Sequence, residues 1–116
     1  MIHGIGIEII DVDRFFRVME RRGERFLKRL FTADELDYCM RKRRPEERLA
    51  ARFAAKKSFM KAVGKTVNFL DMEIRSDVDG RPTLHVNGLD DSFRIVISLS
   101  HDKGLAIAQA IVYKLP

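Results

Sequence analysis

The chain has 116 residues, 46% hydrophobic and 34% charged, with a net charge of +5 and one cysteine. That suits one small globular domain spanning residues 1–116, and it excludes collagen-like, low-complexity and disulfide-framework proteins. No apolar run reaches the ~20 residues of a membrane span, and Met1-Ile2-His3-Gly4 lacks the basic and apolar regions of a signal peptide. A cytoplasmic protein with no membrane partner is therefore expected.

Residues Ile5 to Val12 are rich in Ile and Val and read as a buried strand. Asp13 is positioned as the N-cap of a helix starting at Arg14, and Gly23 interrupts or kinks that helix before Leu30. Thr32-Ala33-Asp34-Glu35 spells a capping box, so a further helix starts there and stops before Pro45. Glu46 to Val63 reads as a long helix with Gly64 just past its end.

The second half changes character. Asp71 to Arg75 and Thr83 to Val86 read as strands flanking the turn signal Asp79-Gly80, and Asn87-Gly88 marks another turn. Arg94 to Ser100 and Leu105 to Tyr113 are the last two strands. A strand, three helical segments and about four strands define an α+β fold, with helices packed on a largely antiparallel sheet.

The positive charge is concentrated. Arg14 to Lys61 holds 16 Lys and Arg against 7 Asp and Glu, while the rest of the chain is acidic. A field of this kind calls for an anionic partner. At about 100° per residue, a helix continuing through Gly23 places Arg14, Arg17, Arg21, Arg25 and Lys28 within roughly 80°. Phe15, Phe16, Met19, Phe26, Leu27 and Leu30 fall mostly opposite. The stripe is either a solvated face or a docking surface. Nucleic acid is the weaker partner, because no aromatic residues interleave with the basic ones and no helix-turn-helix, zinc or RNA-recognition motif is present. Nor do Gly4-Ile5-Gly6 and Gly64-Lys65-Thr66 complete a dinucleotide or Walker motif.

Four collinear segments resemble the holo-acyl-carrier-protein synthases, a family of 4′-phosphopantetheinyl transferases. The long helix carries Arg52-Phe53-Ala54-Ala55-Lys56-Lys57-Ser58-Phe59-Met60-Lys61-Ala62-Val63-Gly64, close to the family's R-F-A-A-K-E-A-F-x-K-A-hydrophobic-G. Gly4-Ile5-Gly6-Ile7-Glu8-Ile9-Ile10 resembles G-I-G-T-D-I-V. Phe31-Thr32-Ala33-Asp34-Glu35-Leu36 resembles F-T-x-x-E-L, and Ser98-Leu99-Ser100-His101 resembles the family's S-I/L-S/T-H strand end.

The resemblance implies a reaction. A serine hydroxyl of an apo acyl carrier protein attacks the β-phosphate of coenzyme A, 4′-phosphopantetheine moves to the serine, and adenosine 3′,5′-bisphosphate leaves. It implies a magnesium ion held by a first-strand Asp and a long-helix Glu, a homotrimer with sites between subunits, and an acidic carrier protein on the basic first helix. Carried onto this chain, the carrier-binding positions are Arg14, Arg17, Val18, Arg21, Arg25 and Lys28. The coenzyme positions are Arg52, Lys56, Lys61, Gly64, Ser100 and His101; the loop after Gly64 is shorter than the family's, and Lys65 in it is a candidate replacement phosphate contact. Glu8, Lys57 and Lys61 occupy the catalytic positions, and Glu8 is the remaining metal ligand.

Two positions depart from the pattern. Glu8 stands where the family has Asp, and Lys57 stands where it has the second metal-binding Glu. In one reading the changes compensate: Glu8 pairs with Lys57, and Lys57 and Lys61 hold the coenzyme pyrophosphate without a full magnesium site. In a second, the chain is a relative that binds a carrier protein or coenzyme A but transfers slowly or not at all; in a third, the changes are simple drift and Lys57 is exposed to solvent. Lys56 falls on the apolar side of its helix, which fits either a lysine snorkelling outward or a phosphate contact at a subunit interface.

Overall fold

In the computed structural model all residues, Met1–Pro116, are described. The order is β1 (Ile2–Asp11), α1 (Val12–Leu30), α2 (Ala33–Met40), α3 (Pro45–Val63), a 3-10 turn (Phe69–Asp71), β2 (Met72–Ser76), β3 (Pro82–Val86), β4 (Phe93–Asp102) and β5 (Leu105–Lys114). Every strand pairing is antiparallel, in a three-stranded sheet ordered β1-β5-β4 and a separate β2-β3 hairpin. The α+β architecture is the one the element order implies.

Helix α3 is the centre of the molecule. Leu49, Ala50, Ala51, Ala54, Ala55, Phe59 and Ala62 are all buried, so the helix lacks a broad solvent face. It begins at Pro45, whose missing N–H costs nothing at a first turn, and ends at Gly64 in the left-handed conformation (φ 75°, ψ 24°). The floor beneath it is made of small residues. Ala106, Ala108 and Ala110 of β5 are fully buried, and on β1 Gly6 pairs with Ala110 and Gly4 with the buried Val112. A Cβ on Gly4 would stand 1.8 Å from the Ala62 carbonyl oxygen, and one on Gly6 1.9 Å from that of Ser58. The two glycines thus let the helix backbone rest on the strand.

The pleat sorts the sheet residues onto two faces. Gly4, Gly6, Glu8 and Ile10 turn towards α3, in register with Val112, Ala110, Ala108 and Ala106. Ile5, Ile7 and Ile9 turn outward and are 55, 54 and 57% exposed. The strand expected to be buried therefore has one buried face and one apolar face open to solvent. On β4, Ile97, Leu99 and His101 share the inner face, and Val96, Ser98 and Ser100 the outer. The β4–β5 hairpin closes through Lys103 (φ 48°) and Gly104 (φ 80°), the two positive φ values that match the twist of paired strands.

Helix α1 starts earlier than expected, and it breaks at Gly23 as expected. Asp11, not Asp13, caps α1: its carboxylate accepts the Arg14 N–H at 3.0 Å, and Val12 enters the helix directly. Gly23 is non-helical, with φ 76° and ψ −159°, a region open to glycine alone. The helix is thus broken there, and the basic stripe divides. Arg14, Arg17 and Arg21 belong to one straight segment, Arg25 and Lys28 to the next.

Candidate active site

Where β1 passes into α1, a cavity of about 490 Å³ opens between α1 and α3. Glu8, Ile9, Ile10 and Asp11 line it from the strand, Arg14, Phe15, Val18 and Phe26 from α1, and Phe53 from α3. It exists because α1 starts immediately after the strand and its aromatic face turns towards α3. Phe15 packs on Phe53 at 5.6 Å between ring centroids and on Phe26 at 6.1 Å. Two carboxylates, a guanidinium and an apolar wall therefore share one opening beside the basic helix.

Glu8 is held by Lys61 and not by Lys57. Lys61 Nζ lies 3.0 Å from Glu8 Oε2 and donates to the Ile7 carbonyl oxygen at 2.9 Å. The expected Glu8–Lys57 pair does not form, because Lys61 reaches the strand first: a Cβ on Gly6 would lie only 2.9 Å from the Lys61 Cβ. Lys57 is partly buried on the same side of α3, between Phe53 and Lys61, since residues four apart on a helix stack one above the other. The α3 lysines that form ion pairs are Lys56 and Lys61, so the Lys57 ammonium has no carboxylate partner.

These residues do not fit a magnesium ion. A hard cation takes oxygen ligands. Here position 57 offers an ammonium, and Glu8 is engaged by Lys61.

Lys56 is not a coenzyme contact. Its side chain is fully buried, and Nζ donates to Glu35 Oε1 at 2.6 Å, to the Leu30 carbonyl at 2.8 Å and to the Phe69 carbonyl at 3.1 Å. Three acceptors exhaust an ammonium, so the group neither snorkels outward nor reaches a ligand. Burial pushes its pKa down and the Glu35 carboxylate opposes that shift. The residue joins α1, α2, α3 and the 3-10 turn.

A second cleft, of about 200 Å³, lies near the N-terminal end of α3 and takes in Tyr38, Glu47, Arg48, Arg52 and His101. Arg52 is 6% exposed, its Nε has no hydrogen-bond partner, and its guanidinium lies 4.8 Å from the centre of the Tyr38 ring. A buried N–H without a partner is costly, and the contact of the guanidinium with the Tyr38 ring offsets part of that cost. His101 Nδ1 is 3.5 Å from Glu47 Oε2, which orients the ring. Burial works to raise the Tyr38 phenol, but the hydrogen bond with Ser76 and the charges of Lys42, Arg52 and Arg48 hold it below its usual range. This is a positive pocket suited to a phosphate.

The structure brings Arg52 and His101 together but not the rest of the expected coenzyme set. Ser100 faces the outer side of the sheet, opposite His101, by the alternation of the strand. Gly64 caps α3, and it and Lys65 lie about 18 Å along the helix from Arg52 at 1.5 Å per residue. Arg48 and Tyr38 were not anticipated. Arg48 was accessible from sequence, being four residues before Arg52 and on the same helical side. Tyr38 comes from α2 and meets Arg52 only through packing.

Residues 4–110 match the family model of the 4′-phosphopantetheinyl transferase superfamily. The chain is 42% identical over 118 residues to a holo-(acyl-carrier-protein) synthase of Halothermothrix orenii, covering 93% of this chain and 94% of that one. Among solved structures, a holo-(acyl-carrier-protein) synthase from Bacillus anthracis in complex with CoA (3′,5′-ADP) superposes with a TM-score of 0.86. It is 34% identical and covers 100% of this chain and 99% of that one. The Helicobacter pylori holo-(acyl-carrier-protein) synthase in complex with coenzyme A gives 0.82 at 29% identity, covering 94% and 99%. Fold, motifs and family match agree: the chain belongs to the 4′-phosphopantetheinyl transferase superfamily.

Proposed function

We propose that this protein transfers 4′-phosphopantetheine from coenzyme A to a serine of an acidic apo acyl carrier protein. The observation that carries this reading is near-full-length similarity to holo-(acyl-carrier-protein) synthases, two of them solved with coenzyme A or its fragment. The cleft lined by Arg48, Arg52 and His101 supports it, because its positive lining suits a phosphate of the coenzyme.

The serine oxygen forms a bond to the β-phosphorus as the bond from that phosphorus to the bridging oxygen breaks. Adenosine 3′,5′-bisphosphate departs with the bridging oxygen. The serine proton goes to Glu8, the cavity acid not already used as a helix cap. Lys61 fixes that carboxylate, and the Lys57 and Lys61 ammoniums offset phosphate charge, as phosphoryl transfer requires. Arg52 and His101 hold a coenzyme phosphate.

Arg14, Arg17, Val18 and Arg21, on the first segment of α1, form the carrier-docking surface, with Arg25 and Lys28 beyond the Gly23 break. Lys28 is paired with Glu24 at 3.1 Å, so it contributes less than the free arginines. The protein acts in the cytoplasm; no helix is long and apolar enough to cross a membrane. It works as a homotrimer. Ile5, Ile7, Ile9 and Val96, all more than half exposed on one sheet face, supply the apolar surface for self-association.

The test is incubation with apo carrier protein and coenzyme A, read by intact mass. Phosphopantetheine addition is expected. Association with the carrier but no mass gain favours the non-catalytic reading.

A further inference from the structure

The charge bookkeeping around Glu8 points beyond the reaction class. A magnesium site of two carboxylates, the ion and a lysine would carry a net charge of +1. Glu8, Lys57 and Lys61 carry +1 with no ion at all. Exchanging a carboxylate for an ammonium adds two positive charges, which is the charge of one magnesium ion. Local geometry agrees. Lys61 already ties up Glu8, and Lys57, one helical turn before Lys61 and partly buried, forms no ion pair of its own. The like charges of Lys57 and Lys61 are i,i+4 neighbours that repel unless an anion lies between them.

We infer that the Lys57 ammonium takes the place of a divalent cation, so that this protein holds the coenzyme A pyrophosphate between Lys57 and Lys61 without a metal. This rests on the proposed coenzyme A reading and adds to it the source of the positive charge. An ammonium is a point charge with rotatable donors, suited to phosphate oxygens and indifferent to octahedral geometry. Loss of the metal requirement therefore follows from one side chain.

Calorimetric titration of coenzyme A tests this in buffer containing EDTA and in buffer containing magnesium chloride. The natural protein is expected to bind with affinities within about twofold of each other, and Lys57→Ala to lose about tenfold or more in EDTA. Lys57→Glu is expected to bind poorly in EDTA and to recover with magnesium. Circular dichroism and the thermal midpoint check that both variants fold, as a partly exposed position without an ion-pair partner should allow. Magnesium-dependent binding by the natural protein, or unchanged binding by Lys57→Ala in EDTA, overturns the inference and leaves the transferase reading standing. Metal-independent binding without transfer to apo carrier supports the inference and contradicts the transferase reading. No coenzyme A binding in either buffer overturns both.

Discussion

Lys56 Nζ lies 2.6 Å from Glu35 Oε1, with both side chains fully buried. The pair joins α3 to α2, and the same ammonium reaches the end of α1 and the 3-10 turn through the Leu30 and Phe69 carbonyls. Glu35 also accepts the Thr32 and Ile74 N–H groups, at 2.9 Å each, so both carboxylate oxygens are used. Removing one partner strands a charge in the core. Glu35→Ala should therefore lose about 3–5 kcal/mol in urea unfolding, and Lys56→Met with Glu35→Leu should lose less than Glu35→Ala alone. Equal losses would mean that the stranded charge is not what costs.

Glu73 makes the fold acid-sensitive. Hydrogen bonds from Thr32 at 2.6 Å and Arg75 at 2.7 Å hold its carboxyl below the ordinary value of 4.5. A depressed folded pKa contributes stability that is complete above the unfolded value and lost as pH falls through the folded one. Glu73→Gln should lower the urea midpoint at neutral pH, and the gap from the natural protein should close at pH values below the folded pKa. A gap constant with pH would remove Glu73 from the account.

Gly6 is where strand and helix backbones come closest. A methyl group there meets the Ser58 carbonyl oxygen at 1.9 Å, and a backbone atom cannot rotate away. Gly6→Ala should cost about 3 kcal/mol or more in thermal or urea unfolding. It should also push α3 off β1 and so separate Lys61 from Glu8. A variant of natural stability would contradict the packing described for α3.

Cys39 is fully buried, and burial pushes its thiol up to about 11. The thiolate is the reactive form, so a thiol reagent at neutral pH should leave the folded protein unmodified and label it fully in denaturant. Rapid labelling of the native protein would show that the α2 contact with the core opens readily.

The sequence carried the order of elements because its signals are local. The capping box at Thr32 forms as spelled, with the Thr32 side chain accepting from the Glu35 N–H and Glu35 reaching back to the Thr32 N–H. What it concealed depends on contacts between distant segments. Alternation along β1 is masked because isoleucine fills the outer face and glycine the inner, so the strand reads as uniformly apolar. Gly23 marks the break in α1 from sequence, but how far it turns the second segment, and so divides the basic stripe, depends on its φ of 76° and ψ of −159°. The motif places Lys57 and Lys61 on one helix, yet the partner of Glu8 turned on which lysine the Gly6 contact brings nearest. Lys56 reads as a ligand in the motif and is a core clamp in the fold, since its acceptors come from Leu30, Glu35 and Phe69.

The central claim is a group transfer, and its balance can be counted. Adenosine 3′,5′-bisphosphate released and carrier serines modified should be measured in the same reaction with coenzyme A and apo carrier protein. The account predicts one bisphosphate per modified serine, and none of either with a carrier whose acceptor serine is alanine. Intact coenzyme A and an unmodified carrier, in the presence of demonstrated binding of both, would contradict it.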